Sequence, residues 1–240
     1  DDSMSDFIQY EFPFLWPIYN LHLSPVQKAD VFRYAVIHKY GGVYADLDVL
    51  CVVPVNDWSL QIDYFNVDMI VGWEALPSKR EVELKHFAVE HQLCQWTFAA
   101  LPGNWLLTNV LNDIYDYYEE KKHLDDISII KSTGPGMFSL SIKKSLQNRY
   151  NNVTFGDEWG LKKDIMKNTV THIGSLYILP LNAFGSRGHD FTTSEKVRNR
   201  IENRRLVIHN FQGSWKKDHK RRKEIFKKKK RKEVKDKTKR

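Results

Sequence analysis

Apolar residues recur at helical spacing between Pro25 and Tyr40, and Ala29, Phe32, Val36 and Tyr40 fall on one stripe predicted to face the core. The flanking signals agree: Ser24 is an N-cap, Pro25 suits the first turn, Gln27 completes a capping box, and Gly41-Gly42 is a stop. On this helix Asp30 and Arg33, three apart, share a neighbouring face. After the glycines, Val43 to Ala45 reads as a short buried strand running into Asp46-Leu47-Asp48. Val49 to Val55 reads as a second β-rich stretch closed by Pro54 and Asn56. The acidic pair is thereby expected at a strand end.

Further strands are expected at Met69 to Trp73, Leu93 to Ala99, Leu176 to Leu179 and Leu206 to Ile208. Helical patterns lie between them. Asn104 can cap a helix in which Leu107, Val110, Leu111 and Ile114 repeat at three and four. Another helix follows Thr133-Gly134-Pro135 and uses Met137, Leu140 and Ile142. Strands alternating with helices predict an α/β domain with a mostly parallel sheet.

At 240 residues the chain can bury a sizeable core as one domain, and no apolar run approaches the roughly 18 residues of a membrane span. Cys51 and Cys94 are too few for a disulfide framework or a multi-cysteine zinc site. The net charge of +7 misleads until it is divided along the chain. Residues 216–240 carry 16 Lys or Arg against 4 Asp or Glu, which leaves 21 basic and 26 acidic residues in 1–215. The body is therefore mildly acidic. The end reads as a basic tail without the apolar content to order itself, suited to solubilisation, to an acidic membrane surface or to nucleic acid.

The chemistry is expected where an open α/β sheet binds ligands, beyond the carboxyl ends of its strands, which is where Asp46 and Asp48 fall. In extended chain, residues two apart point the same way, so Asp-x-Asp can aim two hard oxygen ligands at one volume. A cation held by only one or two carboxylates keeps positions open for phosphate oxygens. That suits a nucleotide diphosphate. Alone, the pattern equally describes a solvated turn.

Its setting is more specific. The run Ala29-Asp30-Val31-Phe32-Arg33-Tyr34 followed by Lys39-Tyr40-Gly41-Gly42-Val43-Tyr44-Ala45-Asp46-Leu47-Asp48 resembles the signature of the DXD-containing sugar transferases. That family includes the fungal initiating α-1,6-mannosyltransferases and the inositol phosphoceramide mannosyltransferases. Three further blocks, in order, resemble the same family. They are Gln95-Trp96-Thr97-Phe98-Ala99-Ala100 with Pro102-Gly103-Asn104, where Asn104 replaces the usual His, then Thr133-Gly134-Pro135, and then His209 to Trp215.

The resemblance implies a GT-A-like, Rossmann-type fold, with a mostly parallel sheet flanked by helices, over residues 1–215. Its first strands are expected to be missing, because relatives usually have two strands ahead of the position where Asp1 stands. It implies a metal-dependent, retaining transferase, with Mn2+ favoured over Mg2+. The donor would be a nucleotide sugar, GDP-mannose before a UDP-hexose, and the acceptor a glycan or glycolipid. Asp48 would ligate the metal directly, His209 would be a second ligand, and Asp46 would bind ribose or sugar hydroxyls and reach the metal through water. Asp30 and Arg33 would flank the donor sugar and Tyr44 would line its pocket. Gly134 would admit backbone to the ligand, and Ser214 with Trp215 would close over the diphosphate. Relatives imply residence at a Golgi or other secretory membrane, on the lumenal side, with the cytoplasm as the alternative, and Asn152-Val153-Thr154 is a glycosylation sequon.

Plainer readings stay open for single residues. Asp30 and Arg33 can be an intrahelical ion pair, His209 can simply end a strand, and Trp215 can be core packing. Glu74 and Asp157-Glu158 are carboxylates near expected loops that could touch donor or acceptor. His22, His86, His91, His123 and His172 lack metal-ligand spacing. Two competing classes are a haloacid-dehalogenase-type phosphatase, whose Asp-x-Asp also follows a strand but favours Thr where Leu50 stands, and a nucleic-acid-binding protein driven by the tail. No specific nucleic acid is expected as a partner.

Overall fold

The computed structural model describes residues 2–58, 66–84, 87–121, 128–150, 169–186 and 205–210. Ser214, Trp215, Asn152, Asp157, Glu158, His86, His123 and the tail from 216 to 240 lie outside the described residues. Helices α1 (Asp2–Glu11), α2 (Trp16–Leu21) and α3 (Pro25–Tyr40) lead into β1 (Gly42–Ala45) and β2 (Val49–Cys51). Then come β3 (Met69–Ala75), α4 (Lys79–Glu83), β4 (Gln92–Ala100), α5 (Trp105–Glu120), α6 (Ile129–Ser132) and α7 (Pro135–Arg149). Strands β5 (Thr171–Ile173), β6 (Leu176–Leu179), β7 (Phe184–Ser186) and β8 (Val207–His209) follow.

The fold is α/β, but the sheet is mixed, not mostly parallel. Its five strands run β1-β4-β3-β6-β5, and only β3 and β6 pair in parallel. A smaller sheet of order β2-β8-β7 has one antiparallel and one parallel pair. The connection from β3 returns the chain as an antiparallel neighbour, and β1 arrives on the far side of β4 from β3. Alternation of strands and helices therefore did not fix strand direction. The expected buried strand at Val43 is instead an edge: β1 pairs only with β4 among the described residues, and Val43 is 39% exposed.

Helix α3 forms where the sequence places it, with the Ser24 N–H donating to Oε1 of Gln27 at 2.9 Å. Its inward face differs from the expected stripe. Val31, Tyr34, Ala35 and Ile37 are buried together with Gln27, Asp30 and Arg33, whereas Tyr40 is exposed and Ala29, Phe32 and Val36 are half-buried. Polar residues occupy part of the helix face that points inward, so the apolar stripe alone misplaces the core. In α5 the expected core residues Leu107, Val110, Leu111 and Ile114 are all buried, and in α7 Met137 and Ile142 are buried while Leu140 is exposed.

The two faces of the large sheet carry different cores. Met69, Val71, Trp73, Leu93 and Phe98 join the main cluster with α1, α3, α5 and α7. Cys94, Trp96, Leu179, Phe184 and Val207 form a second cluster, with Ile70 against it. Between β3 and β4 the register breaks: Val71 pairs with Phe98 but Trp73 with Leu93. The extra residues of β4, Cys94 to Thr97, are thereby released from pairing with β3, as in an extended β-bulge, while Thr97 still pairs with Ala45 of β1. This local irregularity positions the site.

Candidate active site

The site is assembled at the turn from α3 into the sheet. Gly41 ends the helix with φ of 68°, and a Cβ there would stand 2.6 Å from the Pro102 ring, so only glycine fits both the backbone and the contact. From this turn β1 carries Tyr44 and then Asp46 back toward the Asp30 and Arg33 face of α3.

Asp30 and Arg33 are 2% and 6% exposed, so theirs is not a surface pair. Arg33 Nη1 lies 3.2 Å from Asp30 and Nη2 lies 3.2 Å from Asp46, so the guanidinium fork bridges helix and strand. The guanidinium also lies 5.1 Å from the centre of the Tyr44 ring, whose hydroxyl donates to Asp46 Oδ1 at 2.8 Å. Thr133 Oγ1 donates to Asp30 Oδ2 at 2.8 Å, and the Tyr34 hydroxyl meets the Thr133 carbonyl at 2.9 Å and also contacts Gln95. Burial pushes the Asp30 carboxyl up, with Arg33 and Thr133 pulling it back in part. Burial would pull Arg33 down, but Asp30, Tyr44 and Asp46 outweigh it and keep the guanidinium charged.

The acidic pair converges differently from the extended-chain expectation. Val49 N–H donates to the Asp46 carbonyl at 3.0 Å, so Asp46 to Val49 form a tight turn with Leu47 fully exposed at its tip. Pairing of β2 with β8 brings Val49 opposite His209. His209 Nε2 then lies 2.9 Å from Asp48 Oδ1, and the backbone and side-chain amides of Asn210 both donate to the Asp48 carbonyl, at 3.0 and 2.9 Å. The Trp96 indole, from the irregular part of β4, stacks on the His209 ring at 4.5 Å and 14°. Imidazole, carboxylate and turn are thus fixed from three elements.

Asp46, Asp48 and His209 each offer a ligand atom, and these atoms lie within 4.8 Å of one another. The 2.9 Å between His209 Nε2 and Asp48 Oδ1 is near the roughly 3 Å edge between adjacent ligands of an octahedral cation. Burial holds His209 below its ordinary range despite Asp48, which favours the neutral imidazole that can ligate a metal. The residues present therefore fit a divalent cation.

The structure thus brings together Asp30, Arg33, Tyr44, Asp46, Asp48 and His209. Gly134 is buried, and a Cβ there would sit 2.9 Å from Ile130 Cα, so its lack of a side chain serves packing against α6. Asn104, at the position where the family usually has His, caps α5 through Leu106 and Leu107 N–H groups at 3.1 and 3.2 Å. Of the histidines set aside, His22 and His172 are exposed and His91 is buried edge-on against Trp73. Sequence reasoning missed Trp96, Asn210, Thr133 and Gln95 as supports of the site. It also placed Glu74 near a loop, whereas Glu74 lies within β3. For all four the signal was available, since each sits in a block that carried the resemblance.

The Asp46–Asp48–His209 cluster thus lies beside a buried carboxylate–guanidinium pair. Residues 2–65 match the family described as glycosyltransferase sugar-binding region containing DXD motif. An initiation-specific alpha-1,6-mannosyltransferase of Schizosaccharomyces pombe is 32% identical over 201 residues, covering 81% of this chain and 48% of that protein. The protein of the same name from Candida albicans is 26% identical, covering 61% of this chain and 42% of its own length. Inositol phosphoceramide mannosyltransferase 3 of S. pombe is 43% identical over 51 residues, which are 21% of this chain and 14% of that protein. This chain is related to the DXD-containing sugar transferases, and it spans less than half the length of the two initiation-specific relatives.

Proposed function

We propose that this chain is the catalytic part of a metal-dependent, retaining glycosyltransferase that moves a hexose from a nucleotide diphosphate sugar to a glycan or glycolipid acceptor. Mannose is the favoured hexose and GDP-mannose the favoured donor, with a UDP-hexose second, because the related proteins are named mannosyltransferases. The observation that carries the reading is the junction of two groups at one turn: Asp46 belongs both to the metal-ligand cluster and to the Arg33 ion pair.

In this reading Asp48 and His209 hold the cation, Mn2+ before Mg2+, and Asp46 completes the cradle directly or through water. Held there, a divalent cation would supply positive charge where a leaving diphosphate gains negative charge. Arg33, fixed by Asp30 and Asp46, keeps a second positive charge beside it that needs no rearrangement during the reaction. Thr133 holds Asp30, and Trp96 and Asn210 hold His209 and Asp48 in place. The roles of Gly134, Ser214 and Trp215 remain proposals of the family resemblance.

The place of action proposed is a Golgi or other secretory membrane, on its lumenal side. Among the described residues no helix is long and apolar enough to cross a membrane. Glycan occupancy at Asn152 in the native protein would support the lumenal assignment, and an unmodified Asn152 in a cytosolic protein would overturn it. The function itself is tested by heating the protein with Mn2+ and individual nucleotide sugars. GDP-mannose is expected to raise the melting temperature by mass action and to be slowly hydrolysed. Absence of any shift or hydrolysis with every nucleotide sugar would refute it.

A further inference from the structure

Glu74 is a carboxylate in the interior of a sheet, and the mechanism above does not use it. On β3 its neighbours Met69, Val71 and Trp73 point into the main core, while Ile70 packs on the second cluster, the side on which Trp96 lies. Glu74 is half-buried. Oε2 accepts from Gln92 Nε2 at 2.8 Å and Oε1 accepts from the Trp96 indole N–H at 3.3 Å, which fixes the carboxylate plane. Among the described residues it forms no ion pair. The indole that reaches Glu74 with its N–H stacks by its face on His209, so Glu74 stands one side chain away from the metal cluster.

A carboxylate placed so is costly unless something uses it. Gln92 and Trp96 donate to separate oxygens, so only a carboxylate accepts from both, whereas an amide would turn its NH2 toward one of them. A carboxylate offers about four acceptor positions, of which the described contacts use two. Burial pushes Glu74 up to about 7, and the nearby charges of Arg33 and Asp46 both act on it, which places it in the field of the same site.

We propose that Glu74 is a sugar-binding residue, accepting hydrogen bonds from hydroxyl groups of the hexose handled beside Arg33 and Asp46. The inference rests on the glycosyltransferase reading and adds to it a fourth carboxylate, carried by a different strand. Hydroxyls of the donor hexose and of the acceptor hexose present the same chemistry to a fixed carboxylate, and the experiment separates them.

The full 240-residue chain and its Glu74→Gln and Glu74→Asp variants are titrated with GDP and with GDP-mannose in Mn2+, and transfer to methyl α-mannoside is measured. The expected result for Glu74→Gln is GDP affinity within about twofold of wild type, because GDP carries no hexose. Loss of a charge-assisted hydrogen bond should weaken one sugar step about 10- to 100-fold. If donor hydroxyls bind there, GDP-mannose affinity and hydrolysis fall; if acceptor hydroxyls bind there, only the KM for methyl α-mannoside rises. Glu74→Asp keeps the charge with a shorter reach and should lose less. Three outcomes overturn the proposal: unchanged constants for both sugars, a loss of GDP affinity equal to that of GDP-mannose, or the same losses in Glu74→Asp as a drop in melting temperature alone explains. Failure of the wild-type chain to bind any nucleotide sugar would instead remove the glycosyltransferase reading, and this inference with it.

Discussion

Replacing Arg33 with Gln should destabilise the domain far more than loss of an ordinary helix ion pair. An exposed pair three residues apart contributes only about 0.2–0.5 kcal/mol. Here both partners are nearly inaccessible, and Arg33 also bridges to Asp46 at 3.2 Å. Its removal leaves Asp30 buried with only the neutral side chains of Thr133 and Gln95 as hydrogen-bond partners. Breaking a buried pair on one side costs about 3–5 kcal/mol. For a domain of this size that corresponds to a melting temperature lower by roughly 6–20 °C. The pH dependence has a definite sign. Asp30 is already raised by burial, and losing Arg33 raises it further. Stability attached to a raised carboxyl is fully present below its unfolded value and is lost as pH rises through the folded one. The deficit of Arg33→Gln should therefore shrink from pH 8 toward pH 5, and the double variant Asp30→Asn/Arg33→Gln should regain part of the loss and its pH slope should flatten. Calorimetric melts across that range provide the assay. A single variant within 2 °C of wild type at neutral pH, or a deficit that grows on acidification, would refute the reasoning.

Thr133→Val, which removes the donor to Asp30, should cost about 1–3 kcal/mol and lower transfer as well, measured by melting and by turnover. Asn104→Ala removes an α5 cap and should cost about 1 kcal/mol while leaving nucleotide-sugar affinity unchanged; a large affinity loss would give the position a role in the site. Glu74 has a folded value of about 7 against an ordinary 4.5, so its ionisation works against folding as pH rises through that window. Glu74→Gln should accordingly gain about 3 kcal/mol relative to wild type between pH 4.5 and 7.5, read from denaturant midpoints, and a relative loss over that range would contradict the assigned environment.

Local signals were the ones legible in the sequence. Ser24, Pro25, Gln27 and Gly41 bound α3 because capping and glycine conformation are properties of a few adjacent residues. The Asp46–Asp48 pair was found at the end of β1 for the same reason, and His209 through its family block. Strand direction was not legible, since hydrophobic pattern records which positions are buried and not which neighbour buries them. The burial of Asp30 and Arg33 was hidden because charges on an inward helix face invert the usual amphipathic signal. Glu74 was misplaced for the converse reason: one carboxylate among Trp73, Ala75 and Leu76 suggests that a strand has ended, although β3 continues to Ala75. The disrupted register between β3 and β4 and the stacking of Trp96 on His209 depend on pairing between distant segments and have no local signature.

The central claim is that Asp46, Asp48 and His209 hold a divalent cation that recruits a nucleotide diphosphate. Calorimetric titration of Mn2+ into the metal-free protein, with and without GDP, tests it most directly. The account predicts one Mn2+ per chain, tightened by GDP, with binding abolished in folded Asp48→Asn and weakened less in His209→Ala, where diphosphate and water can still fill the shell. Mn2+ binding of equal strength in wild type and Asp48→Asn, or GDP binding indifferent to the metal, would contradict it.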